Sequence, residues 1–385
     1  MFISGGDNEA DLRPPSIKGA LRFWWRALHW GQCLQETDNE KEALKQLYKL
    51  EAELFGAAVN NGEYGQGKLL LKLNSGFKNN EFKDSPPLPG TTYLLGQGLY
   101  NNKYLSANQS FTLTLKIREP KVPDDSVIEG VINSLLLWGL LGGLGSRGRK
   151  GFGSVSISSL KLISKNNGEA TIEERPIPKT KDSYKQTVES LLKELSGDLP
   201  SFTALSSKTR IDISNTGNNA ENLLNNIGME MQLYRSYGRK NKNGQRKVAG
   251  KDAEMNFESD HHIMFDFSQG KNIQEHPKRV VFGLPHNYFF SSNKCNIDVN
   301  AVDSTMQGKD SQYRRSSPLF IHIHKLKDNE YIAVQSLIPA TFLPAEYKIR
   351  LEIKKTKKKV SIPCKIDWDD IHTYLNRFEQ REKIL

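Results

Sequence analysis

The chain has 385 residues, 37% of them hydrophobic, with a formal net charge of +10 and a pI near 9.2. That length suffices for two domains, and the charge favours a polyanionic partner, nucleic acid before membrane. Its three cysteines, Cys33, Cys295 and Cys364, are too few and too scattered for a disulfide framework or a cysteine metal site, which points to a reducing cytoplasm. The longest apolar run, Leu135 to Leu141, is too short to cross a bilayer.

Met1 to Asn8 reads as loop from Gly5, Gly6 and the Asp7-Asn8 pair. Pro14, Pro15 and an N-cap at Ser16 then announce a helix from Ile17 to His29. At about 100° per residue, Ile17, Leu21, Trp24 and Leu28 share an inward face. Lys18, Arg22, Trp25, Arg26 and His29 share another, with no acid interleaved on that helix. Cations around an aromatic suit an RNA strand, where phosphates meet charge and bases stack on rings; equally, Trp25 is core and the cations form a solvated face. A second helix, 40–55, carries mixed charge.

Strands follow at 68–73 and 110–117, the second alternating cleanly. Pro120 and Pro123 close it, Asp124 or Asp125 caps a helix over 127–141, and a strand is expected over 154–163. Between those last two lies Gly142 to Ser154, with six glycines, three cations (Arg147, Arg149, Lys150) and Phe152 in thirteen residues. Glycine permits positive φ and close backbone approach, and the cations match phosphate. Such a loop either follows a phosphate backbone or merely connects. Its helix–loop–strand order, with Gly151 after Lys150, excludes a P-loop triphosphatase.

The order of elements predicts an α+β protein of two αβ sandwiches in tandem, the first ferredoxin-like (RRM-like) and the second more decorated. The first occupies 1–165 and lacks its N-terminal strand. A connector with a short helix at 183–195 fills 166–205, and a second unit with basic insertions takes 206–385. In the second unit, 209–213 reads as strand and 219–237 as helix. Tyr234 to Lys251 holds seven cations, among them Arg235 and Arg239, two tyrosines and no acid. It is a mobile surface loop or an arm that orders on RNA. Arg279 to Pro285 reads as a strand entering a turn, and Arg314-Arg315-Ser316-Ser317-Pro318 precedes a strand through His324. That strand pairs with 331–338 across Asp328-Asn329, its His322 and His324 on one face and able to meet solvent. The run 348–359 is basic, and 366–378 is helix.

Two stretches, Pro14 to Leu28 and Gly145 to Gly153, together resemble the RAMP superfamily of CRISPR proteins, most of all the first subunit of type III-B (Cmr) RNA-targeting effector complexes. Phe282-Gly283-Leu284-Pro285 and Arg314 to Leu319 resemble its C-terminal half. The resemblance implies two ferredoxin-like folds and a place beside other Cmr subunits. It implies contact with the 3′ part of the guide RNA or its target-RNA duplex, with binding rather than cutting. It also implies a strand ahead of a Gly-Gly loop that corresponds to Gly5-Gly6, where this sequence starts. Lys18, Arg22, Trp25, Arg26, Arg147, Arg149, Lys150, Arg235, Arg239, Arg314 and Arg315 are the candidate RNA contacts.

Two readings compete: an RNA-cleaving RAMP protein that processes CRISPR RNA with His29 as general base, and a basic scaffold subunit without direct RNA contact. A lone histidine at a helix end also serves packing or capping, and Asp7 suits a turn. No His-Glu-x-x-His or Cys-x-x-Cys is present, so no metal or cofactor is expected.

Overall fold

The computed structural model describes residues 10–58, 65–77, 79–80, 87–99, 102–118, 124–166, 169–195, 197–305 and 312–385. Gly5, Gly6, Asp7, Pro120 and Pro123, with the question of an entering strand, lie outside that set. The architecture is mixed α and β, with helices packed on small antiparallel sheets.

Helix α1 spans Pro14–Gln35. It begins ahead of Ser16 because proline fits the first turn, where no amide donor is required, and Arg13 takes the cap position but does not cap the helix with its side chain. Helix α2, Glu40–Phe55, packs beside it, capped by Asn39, whose side chain accepts from Glu42 N at 3.1 Å. Leu69–Ser75 and Phe111–Ile117 form an antiparallel ribbon with Leu69 opposite Ile117. Helix α3 (Pro89–Leu95) lies between those strands in sequence, and α4 (Asp125–Leu141) follows them, its Asp124 cap accepting from Ser126 N at 2.9 Å.

Among the described residues the ribbon gains no third strand. The strand expected from 154 starts at Leu160, and Leu160–Asn166 pairs with Glu169–Arg175 in a separate hairpin. The residues before it are held elsewhere. Ser154 Oγ and Ser156 Oγ accept from Ile323 N (3.1 Å) and Lys325 N (2.9 Å) on another sheet's edge. Helix α5, Lys181–Leu192, fills the connector.

That other sheet has four strands in the order Leu319–Lys327, Glu330–Leu337, Arg210–Gly217 and Glu382–Lys383. The expected hairpin across Asp328-Asn329 is present, with Leu319 opposite Leu337. A further sheet runs His286–Phe290, Cys295–Asp303, Tyr347–Ile353, Lys359–Pro363. Helices α6 (Ala220–Arg235), α7 (Glu258–Ser268) and α8 (Asp369–Asn376) complete this half. The stretch read as a strand before Gly283 is instead a 3-10 turn, Lys278–Phe282. The buried Asp260 carboxylate explains it, accepting from Lys278 N (2.7 Å) and Arg279 N (2.9 Å) and so satisfying amides that a ladder would otherwise need.

One core draws on both halves. Trp24, Trp30, Leu137, Trp138 and Leu141 cluster with Ile211, Ile213, Phe320, Ile332 and Val334, so α1 and α4 cover a sheet made wholly of later residues. Helix α3 crosses α6 where Gly90 meets Gly228; a Cβ on either would overlap the other helix's backbone. Gly90 N also donates to Asn225 Oδ1 at 2.9 Å. His322 and His324 do share one strand face, but it is the buried face beneath α4, not solvent. Their Nδ1 atoms lie 2.6 Å and 3.2 Å from Gly142 O and Gly139 O. Burial pushes them down to about 4 and about 3, so both are neutral at pH 7 and act as donors to the end of α4.

Candidate nucleic-acid interface

The glycine-rich loop leaves α4 at Gly142 and closes on itself. Leu144 N donates to Gly153 O at 2.9 Å, and Gly143 bridges Ser154. Its glycines answer to packing as well as to turning. Gly145, Gly151 and Gly153 have φ near +80° (84, 83 and 74), and a Cβ on Gly142 would sit 2.5 Å from Trp24 Nε1. The loop is then fastened to the edge strand Leu319–Lys327 by a bridge of Lys150 with Ile321, in which Ile321 N donates to Arg149 O at 3.1 Å.

Four stretches distant in sequence meet here. Phe23 of α1 stacks on Phe320, centroids 5.8 Å apart, and the Arg149 guanidinium lies over both rings, at 5.4 and 4.4 Å. Arg149 Nη1 also donates to Ser317 O at 2.8 Å. Arg315 exchanges backbone hydrogen bonds with Leu284 (2.7 and 3.1 Å), and Gly283 allows this, since a Cβ there would meet Arg315 O at 2.8 Å.

Around that junction runs a tract of cations. Lys150 is half-buried and, among the described residues, faces no acid within ion-pair distance. Burial first, then Arg235, Arg147 and Arg149, pushes its ammonium down to about 7. Arg147 Nε donates to Leu95 O at 2.8 Å. Arg235, at the end of α6, covers the Phe282 ring at 4.6 Å and keeps a shielded Nε with no partner among the described residues. Burial, then Arg315, pulls Arg149 down to about 10. Arg315 covers Phe342 at 5.6 Å, also with a shielded, unpartnered Nε, and Arg314 beside it is exposed. Cations packed this closely without carboxylates are costly unless an anion joins them.

Two residues missed by sequence reading extend the tract. Arg279 donates from Nη1 to Arg235 O (3.1 Å), pairs with Asp260 (3.3 Å) and covers Tyr288 at 4.8 Å. His286 is pushed down to about 3 by burial, then by Arg235 and Arg279, and stays neutral. Arg279 directly precedes Val280-Val281-Phe282-Gly283, an apolar run whose strand-like pattern masks it. Beyond Arg235, where α6 ends, the Tyr234–Lys251 arm is neither helix nor plain loop. Its strands Arg239–Lys240, Arg246–Val248 and Lys251–Asp252 form a small antiparallel finger. Arg246 lies 3.8 Å over Tyr237, which stacks on His261 at 3.8 Å, while Arg239 is exposed on the outer strand.

The basic face of α1 points elsewhere. Arg22 Nε and Arg26 Nε reach the same carboxylate, Glu51 of α2, at 2.7 and 3.5 Å, and Glu51 is buried. The wall that α1 gives the glycine loop is therefore Phe23 and Trp24 rather than its cations. Lys18, half-buried, is held low by burial and by Arg22. Trp25 is only 5% exposed and stacks on His29 at 4.2 Å, which corrects the expectation that it offers a face to a base. His29 is packed too: its Nδ1 lies 2.8 Å from Trp25 O, and a Cβ on Gly130 would meet its Nε2 at 2.8 Å. Burial holds its pKa low. Among the described residues no three His, Cys, Asp or Glu side chains are grouped to hold a metal, and no helix is long and apolar enough to cross a membrane.

Residues 1–156 match the family model of the RAMP superfamily. The chain is 27% identical over 345 residues to the CRISPR system Cmr subunit Cmr1-1 of Pyrococcus furiosus, covering 87% of this chain and 82% of that protein. The apo crystal structure of Cmr1 from the same organism aligns over 97% of this chain and 91% of that one at 16% identity, with a TM-score of 0.47.

Proposed function

We propose that this Cmr1-like chain, with its RAMP match over residues 1–156, is an RNA-binding subunit of a type III-B (Cmr) CRISPR effector complex. The observation that carries the reading is the tract Arg147, Lys150, Arg235, Arg315, which gathers charge from three separate segments and, among the described residues, leaves it without acids. A phosphodiester backbone supplies the missing negative charge at regular spacing. On this reading the RNA is the 3′ part of the guide or its duplex with target, and the exposed finger carrying Arg239 and Lys240 lies along it. The ribbon with α4 and the four-stranded sheet with α6 stand for two diverged ferredoxin-like units, at 1–165 and 206–385. The subunit binds and positions RNA beside other Cmr subunits in the cytoplasm, and His29, enclosed by Trp25 and Gly130, serves packing.

The test is the salt dependence of RNA affinity. Substituting Arg147, Lys150 and Arg235 by Gln removes three phosphate partners and should lower the slope of log K against log salt by about 2, at about 0.7 per phosphate for a single strand. An unchanged slope in a variant with unchanged melting removes the tract from the interface.

A further inference from the structure

The opposite edge of the four-stranded sheet carries a second basic concavity that shares no residue with the tract. It is a cavity of about 680 Å³ between the start of strand Arg210–Gly217, the final strand and α8. We propose that it is a nucleotide site, taking a nucleoside phosphate, free or at the end of an RNA chain, with the phosphate held by Arg381, Lys383 and Lys208.

The floor is built and committed. Arg210 pairs with Asp212 at 2.6 Å, their side chains 11% and 0% exposed, and Arg210 also donates to Asn376 Oδ1 at 2.8 Å. Its charge is spoken for, and it holds the wall in place. The cations above it are not. Arg381 Nη2 donates to Asn376 Oδ1 at 3.2 Å, but its Nε is shielded from water with no partner among the described residues. An orphaned charged donor of that kind costs free energy until an acceptor arrives. Lys383 is exposed at the rim with no acid partner among the described residues, since neighbouring Glu382 is taken by Lys181 and Lys185. Lys208 has only a loose contact, 3.8 Å, with Asp198, whose side chain is 94% exposed.

The turn Ser206 to Thr209 sets Lys208 at the mouth. Thr209 N donates to Ser206 O at 2.9 Å, and Ser206 N donates to Thr209 Oγ1 at 3.0 Å. Half-buried Leu195, packed over the buried Leu192, gives the opposite wall an apolar surface for a base. His372 lies 3.3 Å from Arg210 through Nδ1 and is held low by burial, then by Arg210, and Lys193, also on the lining, pairs with Glu194 at 3.5 Å, which leaves the phosphate to the three side chains named. Fork-shaped Arg381 and the two ammonium groups match a dianionic phosphate better than a single carboxylate.

The probes are AMP, adenosine, inorganic phosphate and an RNA decamer with either a 5′-phosphate or a 5′-hydroxyl, titrated calorimetrically into the full chain. AMP should bind, adenosine should not, and phosphate should compete. Lys383→Gln, on an exposed strand, and Arg381→Gln should each weaken AMP about tenfold, the loss of one charge-assisted bond. Decamer binding that is tenfold tighter with the 5′-phosphate assigns the site to an RNA end; AMP binding at least as tightly assigns it to a free nucleotide. The proposal is overturned if AMP does not bind, or if Lys383→Gln leaves AMP affinity unchanged. Repeating the AMP titration with Arg147, Lys150 and Arg235 replaced by Gln separates the two sites: AMP affinity should be unaltered there.

Discussion

Lys150 makes the affinity of the tract depend on pH in a way that can be calculated. In the free protein its ammonium is pushed down to about 7 by burial and by Arg235, Arg147 and Arg149. A phosphate beside it restores the charged form, so binding takes up a proton. At pH 6 the lysine is already charged, and at pH 8 only about one molecule in eleven is, which makes RNA binding about tenfold weaker, or about 1.4 kcal/mol. Its partial opening to solvent makes that an upper bound. The sign for folding is the reverse: a depressed lysine is a burden while charged, so stability of the free protein rises as pH climbs from about 7 toward the ordinary lysine range. His286 and His261, held down at about 3 and about 4, do not titrate in this window. Fluorescence anisotropy with a labelled guide-length RNA at fixed salt and pH 6, 7 and 8 reads the effect. Lys150→Arg, charged throughout, should flatten the profile. A flat wild-type profile, or the same slope in Lys150→Arg, would refute the coupling between Lys150 and phosphate.

Three further outcomes are expected. Glu51→Gln leaves Arg22 and Arg26 facing each other over an uncharged amide; because both arginines are partly exposed, the loss should be about 1–3 kcal/mol in urea unfolding, below the cost for a fully buried pair. Gly151→Ala combines a φ of +83° with a Cβ that runs into Leu224, and should cost about 1–3 kcal/mol by the same measurement. Trp25→Ala should lose about 3–5 kcal/mol of stability, as a large buried ring does, while RNA affinity below the melting temperature stays within twofold. A stable Trp25→Ala variant with weak RNA binding would restore the stacking role.

Elements whose pattern is local were legible in the sequence. The stripe of α1, the apolar run of α4 and the hairpin 319–337 follow from periodicity and turn residues alone. What depends on partners was not. Arg22 and Arg26 carry no acid on their own helix, and nothing in α2 marks Glu51 among its other carboxylates as the buried one. The serines after Gly153 alternate as a strand should, yet their hydroxyls are used by Ile323 and Lys325 across 169 residues of chain. His322 and His324 alternate as on a half-exposed strand, yet both faces of 319–324 are buried, theirs by the arrival of α4. Of the candidate site, the glycine loop and Arg314-Arg315 stand out as motifs; that Arg149 seats on Phe320 with Arg315 near it, and that Arg235 comes close enough to lower Lys150, is visible only in three dimensions.

The shared core sets a timetable for synthesis. Trp24, Trp30, Leu137 and Trp138 are finished before the midpoint of translation, but the sheet they cover, with Phe320, Ile332 and Val334, emerges from the ribosome near the end. The nascent chain therefore carries an uncovered aromatic surface for well over a hundred residues of elongation, a target for holdase chaperones and a hazard for aggregation. Folding is governed by closure of that long loop rather than by the fast local helices, so it is slow for the chain's size.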